Sequence, residues 1–263
     1  MKTNATAKET IDRRAAISAL GGFATSLLGC RVAPAPSAIT PSLRPRENAG
    51  GATACRLTPE QEEGPFYVPL ERVRSGIADG QPGVRLAITF RIVDAATCEP
   101  LPNAAVDVWH CNAAGNYSDE PREGTSGEKY LRGIQITNPN GEAAFTSVFP
   151  GWYRGRTVHV HVKVLTGGVV GGTYTGGHTC HTGDVFFPEV TNDEIAAAAP
   201  YASANAGART RNAADPIWSA QGGSAAMCAV DGTAATGFTA SITLALDPRA
   251  TPAAVGFGPP RHG

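Results

Sequence analysis

The chain contains the stretch Gly151-Trp152-Tyr153-Arg154-Gly155-Arg156-Thr157-Val158-His159-Val160-His161, which ends in two histidines within an apolar run. Successive side chains on a strand point to opposite faces, so residues two apart share one face. We therefore expect His159 and His161 side by side, with the neighbouring valines facing the other way. Two imidazoles on one strand face make half of a metal site.

Alternating apolar and polar residues around this stretch predict several short strands. We expect strands at residues 85–93, 104–110, 130–137, 142–148, 156–165, 185–187 and 240–246. The turn signal Asn138-Pro139-Asn140-Gly141 predicts that the third and fourth of these pair as a hairpin. One short helix is expected at 194–199, capped by Asn192 or Asp193 and stopped by Pro200. The pattern predicts an all-β protein, a β-sandwich of short mixed strands with long loops and little helix.

Glycine-rich and irregular stretches separate the predicted strands. Residues 166–183, with the sequence TGGVVGGTYTGGHTCHTG, predict a long loop, and loops of that length are usually functional or disordered. Residues 201–228 are expected to be irregular. The folded body is expected to span 51–250, and a disordered tail rich in Pro and Gly is expected at 251–263.

The charge balance excludes one class of partner. The chain has 22 Lys and Arg against 23 Asp and Glu, a formal net charge of −1 with neutral histidines. A nucleic-acid-binding surface would require a clear excess of positive charge, so no nucleic-acid partner is expected. A homo-oligomer is compatible with the sequence.

Residues 1–30 have the features of an export signal rather than of a folded element. The pair Arg13-Arg14 precedes a weakly apolar run at 15–28, as in a twin-arginine signal. That run is too short to span a bilayer, which requires roughly 20 apolar residues. We therefore expect a periplasmic or extracellular protein.

The end of the leader, Leu27-Leu28-Gly29-Cys30, resembles a lipoprotein processing box. Cys30 is then the lipid-anchored first residue of the mature chain and its one link to a membrane. Ordinary cleavage near Ala33 or Ala35 is the alternative. Residues 31–50 have few large apolar side chains and predict a disordered tether.

Export also changes how the cysteines are interpreted, because thiols tend to oxidise outside the cytoplasm. Five cysteines follow the leader: Cys55, Cys98, Cys111, Cys180 and Cys228. An odd number leaves one thiol unpaired, and we expect Cys111 to pair with Cys180 and Cys55 with Cys98. The chain has no Cys-x-x-Cys pair, which argues against a zinc ribbon or a thioredoxin-like site.

Two tyrosines beside turns are candidates for the other half of the metal site. Tyr117 follows a Gly-Asn turn after the second predicted strand, and Tyr153 directly precedes the histidine strand. At a turn a phenol can point into a cleft, although position alone favours ordinary rim tyrosines. His110, His178 and His181 are alternative ligands, and they would complete a zinc or copper site.

Spaced motifs follow one another in order from residue 57 to about residue 190. They are Thr58-Pro59-Glu60-Gln61, Gly64-Pro65-Phe66-Tyr67, Asp107-Val108-Trp109-His110-Cys111-Asn112, Gly115-Asn116-Tyr117-Ser118, Leu131-Arg132-Gly133, Gln135-Ile136-Thr137, Gly141 with Phe145-Thr146, Pro150-Gly151-Trp152-Tyr153 with Arg156, and His159-Val160-His161. Through these motifs the chain resembles the intradiol ring-cleavage dioxygenases, which include the catechol, protocatechuate and hydroxyquinol enzymes. The Gly-Trp-Tyr-Arg-Gly-Arg run and the leader are most similar to an exported bacterial branch of that family.

The resemblance implies a non-haem Fe(III) site, one ion per chain, held by Tyr117, Tyr153, His159 and His161. Ferric iron favours anionic oxygen, and a bound cation deprotonates a phenol whose free pKa is about 10. Two phenolates and a hydroxide balance the three positive charges, and neutral imidazoles add none. An incoming catechol dianion replaces the hydroxide and one phenolate at constant charge, which limits the cost of burying charge.

The resemblance also implies the substrates and the roles of single residues. The expected partners are a catechol-type molecule and O₂, both atoms of which enter a cis,cis-muconate-type diacid. Tyr153 is expected to leave the metal and act as a base, and Arg156 to stabilise negative charge beside the substrate ring. On a regular strand Arg156 would face away from His161, unless a bend at Gly155 redirects it. Asp184 stands where the family often has glutamine near the substrate, and it adds negative charge there unless it is protonated or paired, for instance with Arg156.

The sequence also allows two other functions. The first half of the body also resembles transthyretin-like domains that bind no metal, which would make the chain a non-enzymatic binding module. A copper or zinc enzyme that uses His178 or His181 is the third hypothesis.

Overall fold

The computed structural model describes residues 56–70, 72–205 and 207–256. The predicted export signal, tether and lipid attachment site lie outside the described residues, and so does the end of the chain from residue 257. Residues 251–256 form neither helix nor strand. Over the described ranges, no helix combines the length and the hydropathy that crossing a membrane requires.

The described part of the chain forms eight strands in two four-stranded sheets. The strands are β1 Arg85–Asp94, β2 Ala105–Trp109, β3 Arg132–Ile136, β4 Glu142–Val148, β5 His159–Val170, β6 Tyr174–Phe186, β7 Ala229–Thr233 and β8 Gly237–Leu246. One sheet has the order β4-β1-β8-β7 and the other β3-β2-β5-β6. β1 and β8 run parallel, and the other paired strands are antiparallel. The predicted β-sandwich of mixed strands is confirmed.

The core lies between the two sheets and explains why the strands alternate. β1 contributes Leu86, Ile88, Phe90 and Ile92, all at most 2% exposed, and the β5 side is lined by valines. Each fully buried side chain of this kind stabilises the fold by roughly 1.5–3 kcal/mol. Because the valines of β5 face the core, the residues between them face outward.

The fourth strand does not form the predicted hairpin with the third. β4 instead pairs with β1 in the other sheet. The turn itself is present, since the Gly141 amide donates to the Asn138 carbonyl. Gly141 then accepts from the Ile92 amide, and Phe145 packs edge-on against Phe90 at 6.0 Å. The chain therefore changes sheets because doing so buries the apolar face of β4 in the core.

The predicted glycine-rich loop is wrong as well, because most of residues 166–183 belong to the β5–β6 hairpin. The Tyr174 ring lies directly on the backbone of the facing strand, where its hydroxyl accepts from the Gly168 amide at 3.0 Å. A Cβ at Gly168 would stand 2.4 Å from the tyrosine ring. These glycines thus make room for a packed ring, and the predicted short strand at 185–187 is the end of β6.

Helices are short, as predicted, but they begin at other residues. The helices are α1 Glu189–Ala197, α2 Tyr201–Ala204 and α3 Pro216–Ala220, with 3-10 turns at Pro121–Glu123, Asn212–Ala214 and Gly223–Ala226. Pro188 occupies the N-cap of α1 in place of the predicted Asn192 or Asp193. Asn192 lies inside the helix, buried, and donates to the Phe187 carbonyl. Strand β7 was not predicted.

The predicted disulfide between Cys111 and Cys180 is wrong, since both thiols are free and buried, as is that of Cys228. Cys180 lies in the core between the sheets, whereas Cys111 lies in a separate cluster with Trp109. The two sulfurs therefore belong to different packed layers. Cys98 is disulfide-bonded, and its predicted partner Cys55 lies outside the described residues.

Candidate metal centre

Four side chains bring their donor atoms together on the outer face of the β3-β2-β5-β6 sheet. The Nε2 atoms of His159 and His161 are 3.2 Å apart, which confirms that the two rings share one face. The Tyr117 hydroxyl lies 3.0 Å from Nε2 of His161 and 3.4 Å from Nε2 of His159. The Tyr153 hydroxyl lies 3.3 Å from Nε2 of His159. Two phenol oxygens and two imidazole nitrogens thus face one point.

The spacing and the chemistry of these donors fit a small, highly charged cation. Donors 3.0–3.4 Å apart match the spacing of ligands that share one ion through bonds of about 2 Å. Burial raises the pKa of both Tyr117 and Tyr153, so neither phenol ionises readily without a cation. A bound trivalent ion reverses that preference by stabilising phenolate. The donor set therefore fits Fe(III).

The outer nitrogen of each histidine lies against a protein oxygen, at Thr157 for His159 and at Asp184 for His161. His159 donates from Nδ1 to the Thr157 carbonyl at 2.6 Å, which leaves Nε2 directed at the cluster. Burial lowers the pKa of His159, so its imidazole is neutral, as a ligand must be. The ring of His161 stacks on Trp109 with centroids 4.8 Å apart and planes 4° from parallel.

Asp184 lies behind His161, opposite it in the β5–β6 register. Its Oδ1 is 2.6 Å from Nδ1 of His161, and its Oδ2 accepts from Arg156 at 2.5 Å. Burial alone would raise the pKa of Asp184, but His161, His159 and Arg156 lower it, so the carboxylate stays ionised. His159, His161 and Asp184 are close enough together to share an ion. Because Nε2 of His161 faces the tyrosines, however, the carboxylate on Nδ1 lies outside the ring of donors.

Arg156 precedes β5 and is turned toward the site, as the bend considered at Gly155 requires. Gly155 has a φ of +87°, a conformation that favours glycine, and the strand begins only at His159. The Arg156 guanidinium donates from Nε to Asp215 at 2.9 Å and from Nη2 to Asp184. Burial acts to lower its pKa, but the surrounding anionic groups raise it, so it stays charged. The predicted pairing of Asp184 with Arg156 is confirmed.

Arg132 holds the loop that carries Tyr117, a role that the sequence did not indicate. It is 3% exposed, and it donates to the Ser118 side chain at 2.8 Å and the Ser118 carbonyl at 2.7 Å. A third bond reaches the Phe66 carbonyl at 2.7 Å. The available signal was a charged residue in the otherwise uncharged strand segment YLRGIQIT.

Residues 58–67, which we call the strap, cross the outer face and cover the site. Gln61 anchors the strap to β6, donating from its amide to Thr182 and accepting from the Asp184 amide. Phe66 stacks on Tyr117 with centroids 4.3 Å apart. Gly64 lies against His161, where a Cβ would come within 3.2 Å of the ring. The strap contains the Gly-Pro-Phe-Tyr motif, and the sequence did not indicate that this motif covers the site.

The remaining candidate histidines are bonded elsewhere in the described residues. His110 donates from Nδ1 to Cys111 and accepts at Nε2 from the Ser147 hydroxyl, at 2.8 Å each. His181 contacts Glu60 at 2.6 Å, and His178 contacts a threonine on the neighbouring strand. None of these histidines is grouped with the described cluster of metal-binding side chains. The structure therefore does not bring the alternative zinc or copper ligands to the site.

A solvent-open cavity of about 410 Å³ adjoins the site. Tyr153 lines it, together with Trp152, Arg154, Asn205 and Thr210. Of the four donors, Tyr153 is the one that is only partly buried. The cavity thus reaches the donor cluster from the side of Tyr153.

Fold and site together define a β-sandwich protein with a cluster of tyrosine and histidine donors that fits a metal ion. A dioxygenase family model matches residues 63–169. An intradiol ring-cleavage dioxygenase from Tetranychus urticae is 31% identical, with a TM-score of 0.68 over 76% of this chain and 98% of that one. The chain belongs to the intradiol ring-cleavage dioxygenases, which are oxidoreductases.

Two further comparisons match a part of this chain or its fold. A catechol 1,2-dioxygenase from Acinetobacter baylyi is 34% identical over 100 residues, which are 36% of this chain and 32% of that protein. The chain thus matches about a third of the length of this relative. The dioxygenase domain of a dioxygenase carbohydrate-binding protein fusion from Streptomyces sp. SirexAA-E shares the fold, with 24% identity and a TM-score of 0.52 over 73% of this chain and 98% of that one.

Proposed function

We propose that this protein is a non-haem Fe(III)-dependent intradiol dioxygenase. It opens the ring of a catechol-type substrate with O₂ and yields a cis,cis-muconate-type diacid that contains both oxygen atoms. The observation that carries this proposal is the convergence of two phenols and two imidazoles with donors 3.0–3.4 Å apart. A site for zinc or copper would not need two phenolates, whereas Fe(III) favours anionic oxygen.

Tyr117, Tyr153, His159 and His161 would hold the ion. Bound Fe(III) supplies a Lewis acid that draws electron density from a coordinated catecholate and makes its ring reactive toward O₂. The two phenolates offset most of the positive charge, and the neutral histidines leave that balance unchanged. The strap and Trp109 exclude water from the face on which this charge lies.

Tyr153 is the donor that gives way to the substrate. It lines the open cavity, while Tyr117 and both histidines are at most 2% exposed. A catechol in the cavity therefore meets Tyr153 before the other three donors. Tyr153 would accept the proton of a catechol hydroxyl at its phenolate oxygen and leave as a neutral phenol.

Arg156 stabilises the negative charge that develops on the ring during cleavage. Two of its nitrogens are held by Asp184 and Asp215, and Nη1 lies 3.7 Å from Glu62. The guanidinium is thus oriented before substrate arrives, which avoids a reorganisation cost during the reaction. Asp184 contributes to substrate binding through Arg156.

Product analysis with isotopic oxygen tests this function. The protein is loaded with one equivalent of ferric iron and given catechol, protocatechuate or hydroxyquinol under ¹⁸O₂. We expect at least one of these to yield a diacid of the muconate type that carries two labelled atoms. A semialdehyde product, or an absence of turnover across a panel extended to larger catechols, would contradict the proposal.

We also propose that the protein acts outside the cytoplasm. The Arg13-Arg14 pair and the Leu-Leu-Gly-Cys box support export, and disulfide-bonded Cys98 suits an oxidising compartment. Mass spectrometry of the protein from its native host should find a mature chain that begins at Cys30 with a lipid attached. An unprocessed chain in the cytoplasmic fraction would refute this.

A further inference from the structure

The Asp184 carboxylate contacts both the donor cluster and Arg156. Asp184 is 1% exposed, and its two oxygens contact different partners: Oδ1 lies 2.6 Å from Nδ1 of His161, and Oδ2 lies 2.5 Å from Nη2 of Arg156. A single side chain thus touches both a proposed iron ligand and the proposed charge-stabilising residue.

We propose that Asp184 is a positioning residue that fixes His161 and Arg156 as one unit and stabilises iron in its ferric state. This inference rests on the function proposed above. A carboxylate that accepts from Nδ1–H sets the tautomer in which Nε2 is free to bind metal. It also makes the imidazole a stronger donor, which favours the more highly charged ion.

The surroundings of Asp184 hold this carboxylate in place. Its backbone amide donates to Gln61 of the strap at 2.7 Å, which ties β6 to the cover of the site. Asp215 holds the far side of Arg156 and also accepts from the Thr157 amide at 2.8 Å. The backbone of Asp184 and the arginine that its carboxylate contacts are thus both held by other residues.

The charge of this cluster has a definite sign. The Arg156 guanidinium contacts the carboxyl groups of Asp184 and Asp215 and lies 3.7 Å from that of Glu62, so the formal charges of these side chains sum to a negative value. That charge reaches the metal through His161. Negative charge behind a ligand stabilises Fe(III) more than Fe(II), because the attraction grows with the charge of the ion. A ferric resting state suits a reaction that uses no external reductant.

Asp184→Asn tests the inference, because it removes the charge and nearly preserves the shape. We expect ferric affinity, measured by competition with a chelator, to fall about 10- to 100-fold. The tyrosinate-to-iron absorption should move to longer wavelength, and the Fe(III)/Fe(II) potential should become more positive. Each change follows from a weaker His161 donor and a less negative surrounding.

Two matched variants separate the contact with His161 from other effects. Asp215→Asn removes a carboxylate from Arg156 and leaves His161 untouched, so the absorption band should move less than in Asp184→Asn. Asp193→Asn removes a carboxylate that contacts Arg209 at 2.6 Å, on helix α1 and outside both the donor cluster and the strap. That variant should leave iron affinity, absorption and potential unchanged.

The outcomes are distinguishable from a failure of the proposed function. If the wild type binds no ferric iron or cleaves no catechol, the proposed function is wrong. If the wild type does both and folded Asp184→Asn keeps its affinity, absorption and potential, this inference alone is overturned. If Asp184→Asn does not fold, the pair Arg156→Gln with Asp184→Asn removes one positive and one negative side chain and is compared with Arg156→Gln, and equal ferric affinity and absorption in the two would overturn the inference.

Discussion

The phenol oxygens of Tyr117 and Tyr153 decide which metal the cluster suits. A strand with two histidines on its outer face is compatible with zinc, copper or iron, and only the phenols select a hard trivalent ion. Both tyrosines could be predicted from the sequence because each belongs to a recognisable motif. Asp184 as a partner of His161 could not, because that contact depends on the β5–β6 register, which the mistaken loop concealed.

Tyr153→Phe removes the proposed base and should lower kcat/KM by about 10²–10⁴-fold. Iron should remain bound through the other three donors, with an altered absorption band. Tyr174→Phe is the control, because its hydroxyl bonds only the Gly168 amide in the hairpin. Equal kcat/KM values in the two variants would show that Tyr153 is not the base.

His110 should make stability depend on pH. Burial lowers its pKa from near 6.5 to about 4, so the folded protein disfavours the protonated form. The contribution of His110 to the unfolding free energy is complete above pH 6.5 and is lost as the pH falls toward 4. The loss between pH 7 and pH 5 is about 2 kcal/mol. Denaturant unfolding at the two pH values should show this loss in the wild type and a smaller loss in His110→Gln. Identical losses would show that His110 is not responsible.

At the scale of elements, the strap constrains the position of the His161 ring. Gly64 has a φ of +73°, and a Cβ there would stand 3.2 Å from His161. The His161 ring cannot move away from the strap, because Trp109 stacks on it and the Asp184 carboxylate contacts its Nδ1 atom. A side chain at this position must therefore lift the strap.

Gly64→Ala should weaken iron binding as well as stability. Gly80→Ala is the matched control, since Gly80 has a φ of +77° but a Cβ there would meet nothing within 4 Å. Both variants should lose about 1–2 kcal/mol of unfolding free energy from backbone strain. Only Gly64→Ala should also lower ferric affinity in a chelator competition. Equal affinity in the two variants would mean that the strap does not constrain His161.

The positions of the strands in the sequence were easier to predict than the pairing between strands. Alternation located β1 and β4 closely, because one face of each strand is buried against the core, and β2, which is buried on both faces, was located as a short apolar run. Pairing is a property of the whole sheet, and a strong turn at Asn138 did not reveal that β4 crosses to β1. The glycines of the β5–β6 hairpin suggested a loop because the ring of Tyr174 that packs on them is not visible in a local pattern.

At the scale of the whole molecule, the three free cysteines among the described residues report on the integrity of the sandwich. Burial raises the pKa of Cys111 to about 12, of Cys180 to about 11 and of Cys228 to about 12. Thiolate is therefore scarce, and access is closed. Peptide-level alkylation should leave all three unlabelled in the native protein and label all three after denaturation. Labelling of the folded protein, or a linked Cys111–Cys180 peptide, would contradict the packing described.

The central claim is that two phenolates and two imidazoles bind one ferric ion in this sandwich. Its most direct test is the visible absorption of the purified protein during titration with ferric iron under anaerobic conditions. We expect a tyrosinate-to-iron band that saturates at one equivalent per chain, weakens in Tyr117→Phe and shifts when a catechol is added. A protein that stays colourless with iron, or that holds one zinc or copper per chain in its place, would contradict the account.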